Sequence, residues 1–317
     1  MQPIVVFVVV MSVSLFFAHC TEAQIFPSRP IRIVTAQPGS GNDILARLIA
    51  QGAMPRLGQQ VIVDNRGSPA IDIVQKSAPD GYNLLLYGSV LWLLPFMRDN
   101  VGYDPVGDFV PVTWGTTTPN VLVIHPLLPV KSVQELVALA KSKPGELNYG
   151  SGSSGSTSHL AAELFKSMAG VNLIRIGYKG SGPALSALLS NEFHLIFPSA
   201  SAAAPIVKTG KIKAIAVATL KPTLLAPGLP TIAASGLPGF ESSSILGVFA
   251  SAKTPPRIIA RLHQEIAGVL HQTSIKERLF NVGVEAVGST PEQLGEAVKS
   301  EMAHYRKVIK EARIREL

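Results

Sequence analysis

The sequence predicts an α/β protein made of two successive strand-helix units, each with a largely parallel sheet and helices on its faces. Short apolar segments alternate with helix-length segments, and the same alternation starts again after residue 140. In each unit one strand runs directly into a glycine- and serine-rich loop that opens a helix. This order of elements is typical of parallel sheets, because parallel neighbours need a crossover connection.

The first unit is predicted to begin at residue 31, with strands at residues 31–35, 60–63 and 82–87. The helix after its first strand is predicted over residues 44–54, because apolar residues recur there at helical spacing. Asn42 or Asp43 is expected to be the N-cap of this helix, and Pro55 and Gly58 are expected to end it.

The second unit carries predicted strands at residues 120–124, 147–149, 173–176, 193–197 and 212–217. A helix is predicted in each of the first three intervals, the second of them from about residue 158 to residue 168. A proline- and glycine-rich surface loop is predicted over residues 222–238. One strand, at residues 245–250, and three helices complete the chain. These helices are expected to open at Thr254, Ser274 and Thr290, the last two within capping boxes.

The amino-acid composition limits the classes of protein to which the chain can belong. Of the 317 residues, 47% are hydrophobic and 15% are charged, so the chain can bury one large or two medium cores. The net charge is +7, and the basic residues are scattered. Nucleic-acid binding would need a clustered basic stripe with aromatic platforms, so no nucleic-acid partner is predicted. The charge fits a general attraction for small anions and a solvated basic surface equally well.

Residues 4–18 form an apolar run that is short for a membrane span, followed by the small-x-small pattern of residues 21–23. These features predict a signal peptide over residues 1–23 and a periplasmic location for the rest, although no Lys or Arg precedes the run. In an alternative interpretation the chain is lipidated at Cys20, but His19 stands where a lipobox has Gly or Ala. Because Cys20 is the only cysteine, the exported chain is predicted to have no disulfide.

Two loops are candidate anion sites. The first loop, residues 37–43, contains Gly39, Ser40, Gly41, Asn42 and Asp43. The second loop, residues 151–158, is called the serine loop. It and the helix start after it contain Ser151, Ser153, Ser154, Gly155, Ser156, Thr157, Ser158 and His159. Such loops leave backbone N–H groups uncovered at a helix start, where an anion is stabilised. Each loop alone also fits a flexible connection, but two in separate units predict one anionic ligand held between two lobes.

The chain lacks the patterns that would predict an enzyme. Ser151 stands where a nucleophile elbow needs its first Gly, the first loop is not a Walker loop, and the histidines are dispersed without metal-ligand spacing. No catalytic residue, cofactor or metal is therefore predicted. A dinucleotide site stays open as an alternative, because Gly39-x-Gly41 follows a strand and Asp64 ends the next one, although Ile44 replaces the third glycine.

A series of short motifs follows the chain in order, at residues 27–32, 38–43, 46–47, 57–59, 64–66, 78–82, 103–105, 119–123, 147–149, 158–160, 178–180, 236–239 and 288–292. Together they resemble the Bug-type solute receptors of tripartite tricarboxylate transporters. Each motif is weak alone, but the resemblance covers essentially the whole chain after the leader.

The resemblance implies a type II periplasmic-binding-protein fold, in which two lobes, each a mixed sheet flanked by helices, close like a Venus flytrap on a small carboxylate. It implies that residues 24–122 plus 248–317 form the first lobe and residues 123–247 the second, joined by crossover strands at residues 121–125 and 247–250. One ligand carboxylate would lie on the serine loop, and the first loop would reach across the cleft.

Four further residues complete the predicted site: Ser89 and Tyr178, each at a strand end, and Pro198 and Ser199. Many members of the family have an Asp after the strand at residues 193–197, where Pro198-Ser199 stands here, and that Asp can meet an amino or polar group of the ligand. Its absence here predicts a plain mono- or dicarboxylate. The resemblance also implies a monomer that delivers its ligand to membrane subunits of a transporter, with a sensor for a signalling partner as the alternative.

Overall fold

The structure of the protein is a computed structural model that describes residues 26–315. The predicted signal peptide, residues 1–23, and Cys20 within it lie outside the described residues. Between residues 26 and 315 no helix has the length and apolar character needed to cross a membrane.

A six-stranded mixed sheet forms the centre of the first lobe. Its strands are β1 (Ile31–Thr35), β2 (Val61–Asn65), β3 (Asn83–Gly88), β4 (Phe109–Pro119), β10 (Ser243–Ser251) and β11 (Glu285–Ala286). They lie in the order β11-β4-β10-β3-β1-β2. Strand β1 is parallel to β2 and β3, whereas β10 runs antiparallel to β3 and β4.

Helices cover both faces of this sheet: α1 (Gly41–Leu57), α2 (Pro69–Gln75), α3 (Val90–Met97), α8 (Pro256–Leu270), α9 (Thr273–Phe280) and α10 (Pro291–Glu311). Successive residues of a strand point to opposite faces, and both faces are apolar here. On one face Ile33 packs with Leu45 of α1 and Leu262 of α8. On the other, Val34 belongs to the same cluster as Trp92 of α3.

The second lobe contains a five-stranded mixed sheet in the order β7-β6-β8-β5-β9. The strands are β5 (Val121–Ile124), β6 (Asn148–Ser151), β7 (Ile174–Gly177), β8 (Leu195–Ile196) and β9 (Lys213–Val217), and the helices are α4 (Val133–Ser142), α5 (Thr157–Ala169), α6 (Ser181–Leu189) and α7 (Ala200–Val207). Strand β6 is parallel to β7 and β8, and β5 is antiparallel to β8 and β9. The predicted two-lobed α/β architecture is confirmed.

The chain passes between the sheets at Asn120, which separates β4 from β5, and at Ser242, which precedes β10. The Asn120 N–H donates to the Ser242 carbonyl at 3.0 Å, and the Ser242 N–H donates to the Ala218 carbonyl at 2.9 Å. Asn120 Nδ2 donates to the Phe197 carbonyl at 2.6 Å, and Tyr305 of α10 donates its hydroxyl to Ser242 Oγ at 3.1 Å. These bonds satisfy the fully buried Asn120 and tie both crossings together.

The crossover strands implied by the resemblance lie later in the chain than these crossing points. Residues 247–250 are inside β10 of the first sheet, and residues 121–124 are inside β5 of the second. Residues 243–247, which the resemblance assigned to the second lobe, also pair within the first sheet. We propose lobe boundaries at these crossings, with residues 26–119 plus 243–315 in the first lobe and residues 120–242 in the second.

Three helix ends differ from the expectations. The N-cap of α1 is Ser40, not Asn42 or Asp43, and its Oγ accepts the Asp43 N–H at 3.3 Å. Pro55 lies inside the last turn of α1, so Gly58 alone ends the helix, at φ 67°. Helix α9 begins at Thr273 after Gln272, without a side-chain cap, so the predicted capping box at Ser274 is wrong. The capping box at Thr290 is confirmed.

Several elements have no predicted counterpart, namely the strands β4 and β11 and the helices α2, α3 and α7. Strand β4 spans 11 residues but contains Pro111 and Gly115, which argue against a strand, and four threonines, which hide the apolar alternation. Its Cα register with β10 shifts at two places, as irregular strands allow. The irregular strand therefore depends on tertiary pairing rather than on its own sequence pattern.

Candidate functional site

A cavity of about 480 Å³ lies between the two lobes. The first lobe contributes the start of α1 with Gly41 and Asn42, and the second lobe contributes the start of α7 with Ser199 and Ser201. The remaining walls are Thr116, Thr118 and Ser244, with the apolar Ile44, Leu45, Ala202, Leu246, Leu279, Val282 and Val284. This volume, with mostly apolar walls and a few polar groups, is typical of small-molecule sites.

The side chain of Asp43 fixes the backbone conformation of the first loop. The Gly39 N–H donates to Asp43 Oδ2 at 2.9 Å, while Asp43 Oδ1 accepts from Asn65 Nδ2 at 3.0 Å and from Arg47 Nε at 2.9 Å. The Gly39 bond first, and Arg47 and Asn65 after it, hold the pKa of Asp43 below its ordinary value against the opposing effect of burial. Asp43 is therefore an ionised, buried brace of the loop and is not among the residues that line the cavity.

Two backbone N–H groups at the start of α1 remain available to donate hydrogen bonds into the cavity. The N–H groups of Gly41 and Asn42 belong to the first helical turn, which has no intrahelical acceptors. Within residues 26–315 neither group donates a hydrogen bond, and both residues line the cavity. Gly39 reaches its turn at φ 75°, a conformation that glycine adopts without strain.

The start of α7 faces the same cavity from the second lobe. Ser199 is the N-cap, and its Oγ accepts the Ala202 N–H at 3.3 Å and lies 3.1 Å from Ser201 Oγ. Pro198 precedes it, is buried, and accepts the Val121 N–H through its carbonyl at 2.9 Å. Of these two predicted site residues, Ser199 thus lines the cavity and Pro198 anchors the turn behind it.

The serine loop is turned largely toward its own protein partners. The Gly152 N–H donates to Ser158 Oγ at 3.0 Å, and Ser156 Oγ, which caps α5, lies 3.1 Å from that same hydroxyl. The Gly155 N–H donates to His159 Nδ1 at 3.1 Å. None of the residues of this loop is among those that line the cavity. Ser153 is exposed, and Thr157 is half-buried in the first turn of α5.

His159 is a buried neutral side chain. Burial, and after it the charges of Arg175 and Lys166, lowers the pKa of His159 to about 3. Because Nδ1 accepts from Gly155, the proton of the neutral ring is on Nε2. His159 therefore supports the serine loop as an uncharged acceptor.

Arg175 of β7 was not among the predicted site residues, yet it binds the serine loop directly. Its Nε donates to Ser151 Oγ at 2.8 Å, one Nη donates to Ser154 Oγ at 3.1 Å, and the other Nη donates to the Gly152 carbonyl at 3.0 Å. An arginine within an otherwise apolar strand next to a glycine-rich loop was the signal that could have identified it.

Ser89 and Tyr178 direct their hydroxyls to protein partners. Ser89 Oγ donates to both carboxylate oxygens of Glu301 on α10, at 3.2 and 3.0 Å, and Trp92 Nε1 donates to the same group at 2.6 Å. Burial raises the pKa of Glu301 to about 7. The Tyr178 hydroxyl donates to Glu192 at 3.0 Å, and its pKa is raised first by burial and then by that bond.

The two lobes touch at two glycines. Gly155 of the serine loop lies so close to Met97 of α3 that a Cβ there would overlap the sulfur. Gly283, after α9, would place a Cβ 2.9 Å from the Cα of Ser201. The start of α7 thus contacts the first lobe beside the cavity, through Ser201. Among residues 26–315 no group of three His, Cys, Asp or Glu side chains is arranged to hold a metal ion.

Comparison with known proteins agrees with this architecture. The model of the tripartite tricarboxylate transporter family receptor matches residues 45–314. Protein BugT of Bordetella pertussis (strain Tohama I) is 32% identical over 301 residues, covering 92% of this chain and 91% of BugT.

Two solved structures are also similar over most of their length. Rpa4515 of R. palustris, solved with adipate, is 36% identical with a TM-score of 0.79, covering 92% of this chain and 100% of its own. MatC from Rhodopseudomonas palustris, with bound malate, is 28% identical with a TM-score of 0.75, covering 90% of this chain and 100% of its own. These comparisons confirm the resemblance to Bug-type receptors.

Proposed function

Because the chain belongs to the receptor family of tripartite tricarboxylate transporters, we propose that it captures a small organic carboxylate between its lobes and delivers it to the membrane subunits of such a transporter. The family is one of solute-binding receptors and not of enzymes. The observation that carries the proposal is the inter-lobe cavity, where helix starts from both lobes face one volume.

The cavity walls suit a carboxylate because they supply donors without a competing charge. Each helix start carries roughly half a positive elementary charge, and the N–H groups of Gly41 and Asn42 await an acceptor. The hydroxyls of Ser199, Ser201 and Ser244 add donors, and none of the described residues that line the cavity is charged. A ligand anion would therefore be held by dipoles and hydroxyls, while its carbon chain packs on the apolar wall.

The ligand class is supported by the relatives and by the turn before α7. One similar structure was solved with adipate and another with malate, both small carboxylates. Pro198 and Ser199 stand where an acid would meet an amino group, and within residues 26–315 no acidic side chain lines the cavity. We therefore propose a mono- or dicarboxylate without an amino group. Micromolar binding would correspond to about −8.2 kcal/mol, a value within reach of several such hydrogen bonds and lobe closure.

A thermal-shift screen tests this proposal. Ligand that binds only the folded protein raises the melting temperature by mass action. We expect a shift with one class of mono- or dicarboxylate and none with aspartate, glutamate or NAD. A shift with NAD alone would favour the dinucleotide interpretation of the first loop, and tight binding of aspartate would contradict the proposed ligand class.

Export and oligomeric state are part of the same proposal. Removal of residues 1–23 on export would give a periplasmic protein that begins at residue 24. Mass spectrometry of the exported protein identifies its N-terminal residue. The chain is proposed to act as a monomer, and light scattering of the purified protein measures its mass directly.

A further inference from the structure

The turn between α9 and β11 gives the inter-lobe cavity an apolar wall. Val282 and Val284 of this turn line the cavity, as does Leu279 at the end of α9. The N–H groups of Val282 and Val284 both donate to the Leu279 carbonyl, at 3.1 and 3.0 Å, and the Gly283 N–H donates to the Phe280 carbonyl at 2.8 Å. Because these N–H groups are engaged within the turn, this wall offers a ligand apolar side chains rather than backbone donors.

A second apolar surface lines the cavity from α1. Ile44 lies one helical turn after Gly41, and therefore on the same face of α1 as the start of the helix. Leu246 of β10 lies beside that start, since a Cβ on Gly41 would be 3.9 Å from Leu246 Cδ1. A carboxylate that accepts from the Gly41 N–H would thus have its first carbon atoms beside Ile44 and Leu246.

Ile44 and Val282 leave about half of their apolar side chains exposed. The exposed fractions are 51% for Ile44 and 57% for Val282, and both residues line the same cavity. Exposed apolar surface that is grouped in one place is typical of a binding site. An alkyl group that covers this surface gains about fourfold in affinity for each methylene that it buries.

Most of the hydroxyl groups that line the cavity lie at the crossing between the lobes. Ser244 is opposite Thr118 where β10 pairs with β4, and Ser199 forms an isolated bridge with Asn120. Ser201 follows in the first turn of α7. These hydroxyls surround the position proposed for one carboxylate. A second carboxylate of the same molecule would leave water against an apolar wall, which costs free energy because none of the described lining residues is charged.

We infer that Ile44 and Val282 are specificity-determining residues that select a monocarboxylate with an alkyl body. The alkyl body packs between these two side chains and Leu246, while its carboxylate accepts from the starts of α1 and α7. The inference deepens the proposed function and rests on it, since it uses the same position for the carboxylate. It assigns the rest of the ligand to the apolar walls.

Isothermal titration calorimetry with two matched ligand series tests the inference. The monocarboxylates are butyrate, pentanoate and hexanoate, and the dicarboxylates of the same carbon numbers are succinate, glutarate and adipate. We expect the affinity of the wild-type protein to rise by about fourfold per methylene from butyrate to hexanoate. Hexanoate should bind at least about tenfold more tightly than adipate. A dicarboxylate that binds more tightly than the monocarboxylate of its length would overturn the inference and leave the proposed function intact.

Ile44→Thr and Val282→Thr test the two residues directly, because each exchanges apolar surface for a hydroxyl and keeps a β-branched side chain. Each variant should weaken hexanoate by about 5- to 20-fold and butyrate by no more than about twofold, since the shorter chain covers less of these residues. Ile62→Thr is the matched control, because Ile62 is 48% exposed on β2 and is not among the residues that line the cavity. This control should bind both acids within about twofold of the wild-type protein.

Three results would contradict the inference. The two site variants could bind hexanoate as the wild-type protein does, they could lose no more affinity than Ile62→Thr, or they could lose butyrate and hexanoate in the same proportion. In each case Ile44 and Val282 do not contact the alkyl body. If the wild-type protein binds none of the carboxylates in the thermal-shift screen, the proposed function fails and the inference fails with it.

Discussion

The first loop and the serine loop are built alike but face different surroundings. Each follows a strand, opens a helix with a serine N-cap and turns at a glycine with φ 75°, Gly39 in one and Gly155 in the other. A Cβ on Gly39 would meet no atom within 4 Å, whereas Gly155 is packed against Met97. The first loop presents its N–H groups to the cavity, and the serine loop is covered by Arg175.

The difference shows that the sequence of a loop gives it the capacity to bind an anion, whereas the residues packed around it decide whether its N–H donors are accessible. Glycine and serine give both loops the capacity to bind an anion. Asp43 and Asn65 hold the donors of the first loop outward, while Arg175, His159 and Met97 occupy the serine loop. Asn65, Arg175 and Met97 come from other segments of the chain, so the same local pattern has exposed donors in one lobe and covered donors in the other.

The largest expected effect comes from filling the cavity. Ala202 and Ala204 are half-buried on the same helix, α7, but only Ala202 lines the cavity. Ala202→Phe should weaken carboxylate binding by at least about 1,000-fold, or about 4.1 kcal/mol, because the ring takes the ligand volume. Ala204→Phe should bind within about threefold of the wild-type protein. Calorimetry with the carboxylate found in the screen measures the affinity of both variants. Equal losses of affinity would show that the ligand does not bind beside α7.

The two glycines should respond differently to alanine. Gly39→Ala should cost about 1 kcal/mol, since only the backbone strain at positive φ opposes it. Gly155→Ala should cost about 2 to 4 kcal/mol, because the Met97 overlap adds to that strain. Urea unfolding of both variants gives the two free energies. A double-mutant cycle with Met97→Ala should show coupling only for Gly155. If Gly155 showed no coupling either, Gly155 and Met97 would not be in contact across the lobes.

Replacing the carboxylate that braces the first loop should have a moderate effect. We expect Asp43→Asn to lower the free energy of unfolding at pH 7 by about 1 to 2 kcal/mol through the Gly39 and Asn65 bonds. Arg47 adds little, because its side chain is 60% exposed. The pKa of Asp43 is lowered in the folded state, so its stabilisation is complete above the ordinary value of about 3.9 and disappears as pH falls through the folded value. Unfolding from pH 7 to pH 3 should show the two proteins converging, and a constant difference would contradict the assigned ionisation.

The effect that depends most strongly on pH concerns protein stability on the acid side of neutrality. The pKa of His159 is lowered to about 3, so below pH 6.5 the unfolded chain binds a proton that the folded chain does not. Stability should fall from this group by at most about 1.4 kcal/mol per pH unit as pH decreases from 6.5 toward 3. His159→Asn keeps an acceptor for Gly155 but does not titrate, so its unfolding free energy should lack this slope. An identical slope in both proteins would show that His159 is protonated when folded.

The sequence predicted the architecture because strand and helix periods are local properties. Strands β1, β6 and β9 and helix α5 were placed within a few residues of their observed bounds. Strand β4 was missed, because Pro111, Gly115 and a run of threonines conceal a strand that pairing with β10 stabilises. Within the candidate site, Ser199 was predicted from the family pattern, and the first loop from its glycines and helix start. Thr116, Thr118 and Ser244 were not predicted, since only the crossing of β4 and β10 brings them to the cavity.

A crystal structure of the protein with the carboxylate that gives the largest thermal shift would show where the ligand binds. We expect carboxylate oxygens within about 3.2 Å of the Gly41 or Asn42 N–H and of a Ser199 or Ser201 hydroxyl. We also expect the carbon chain to lie on Leu246 and Ala202. Ligand density outside the inter-lobe cavity, such as in the cavity beside α10 that Glu241 and His304 line, would contradict this placement of the ligand.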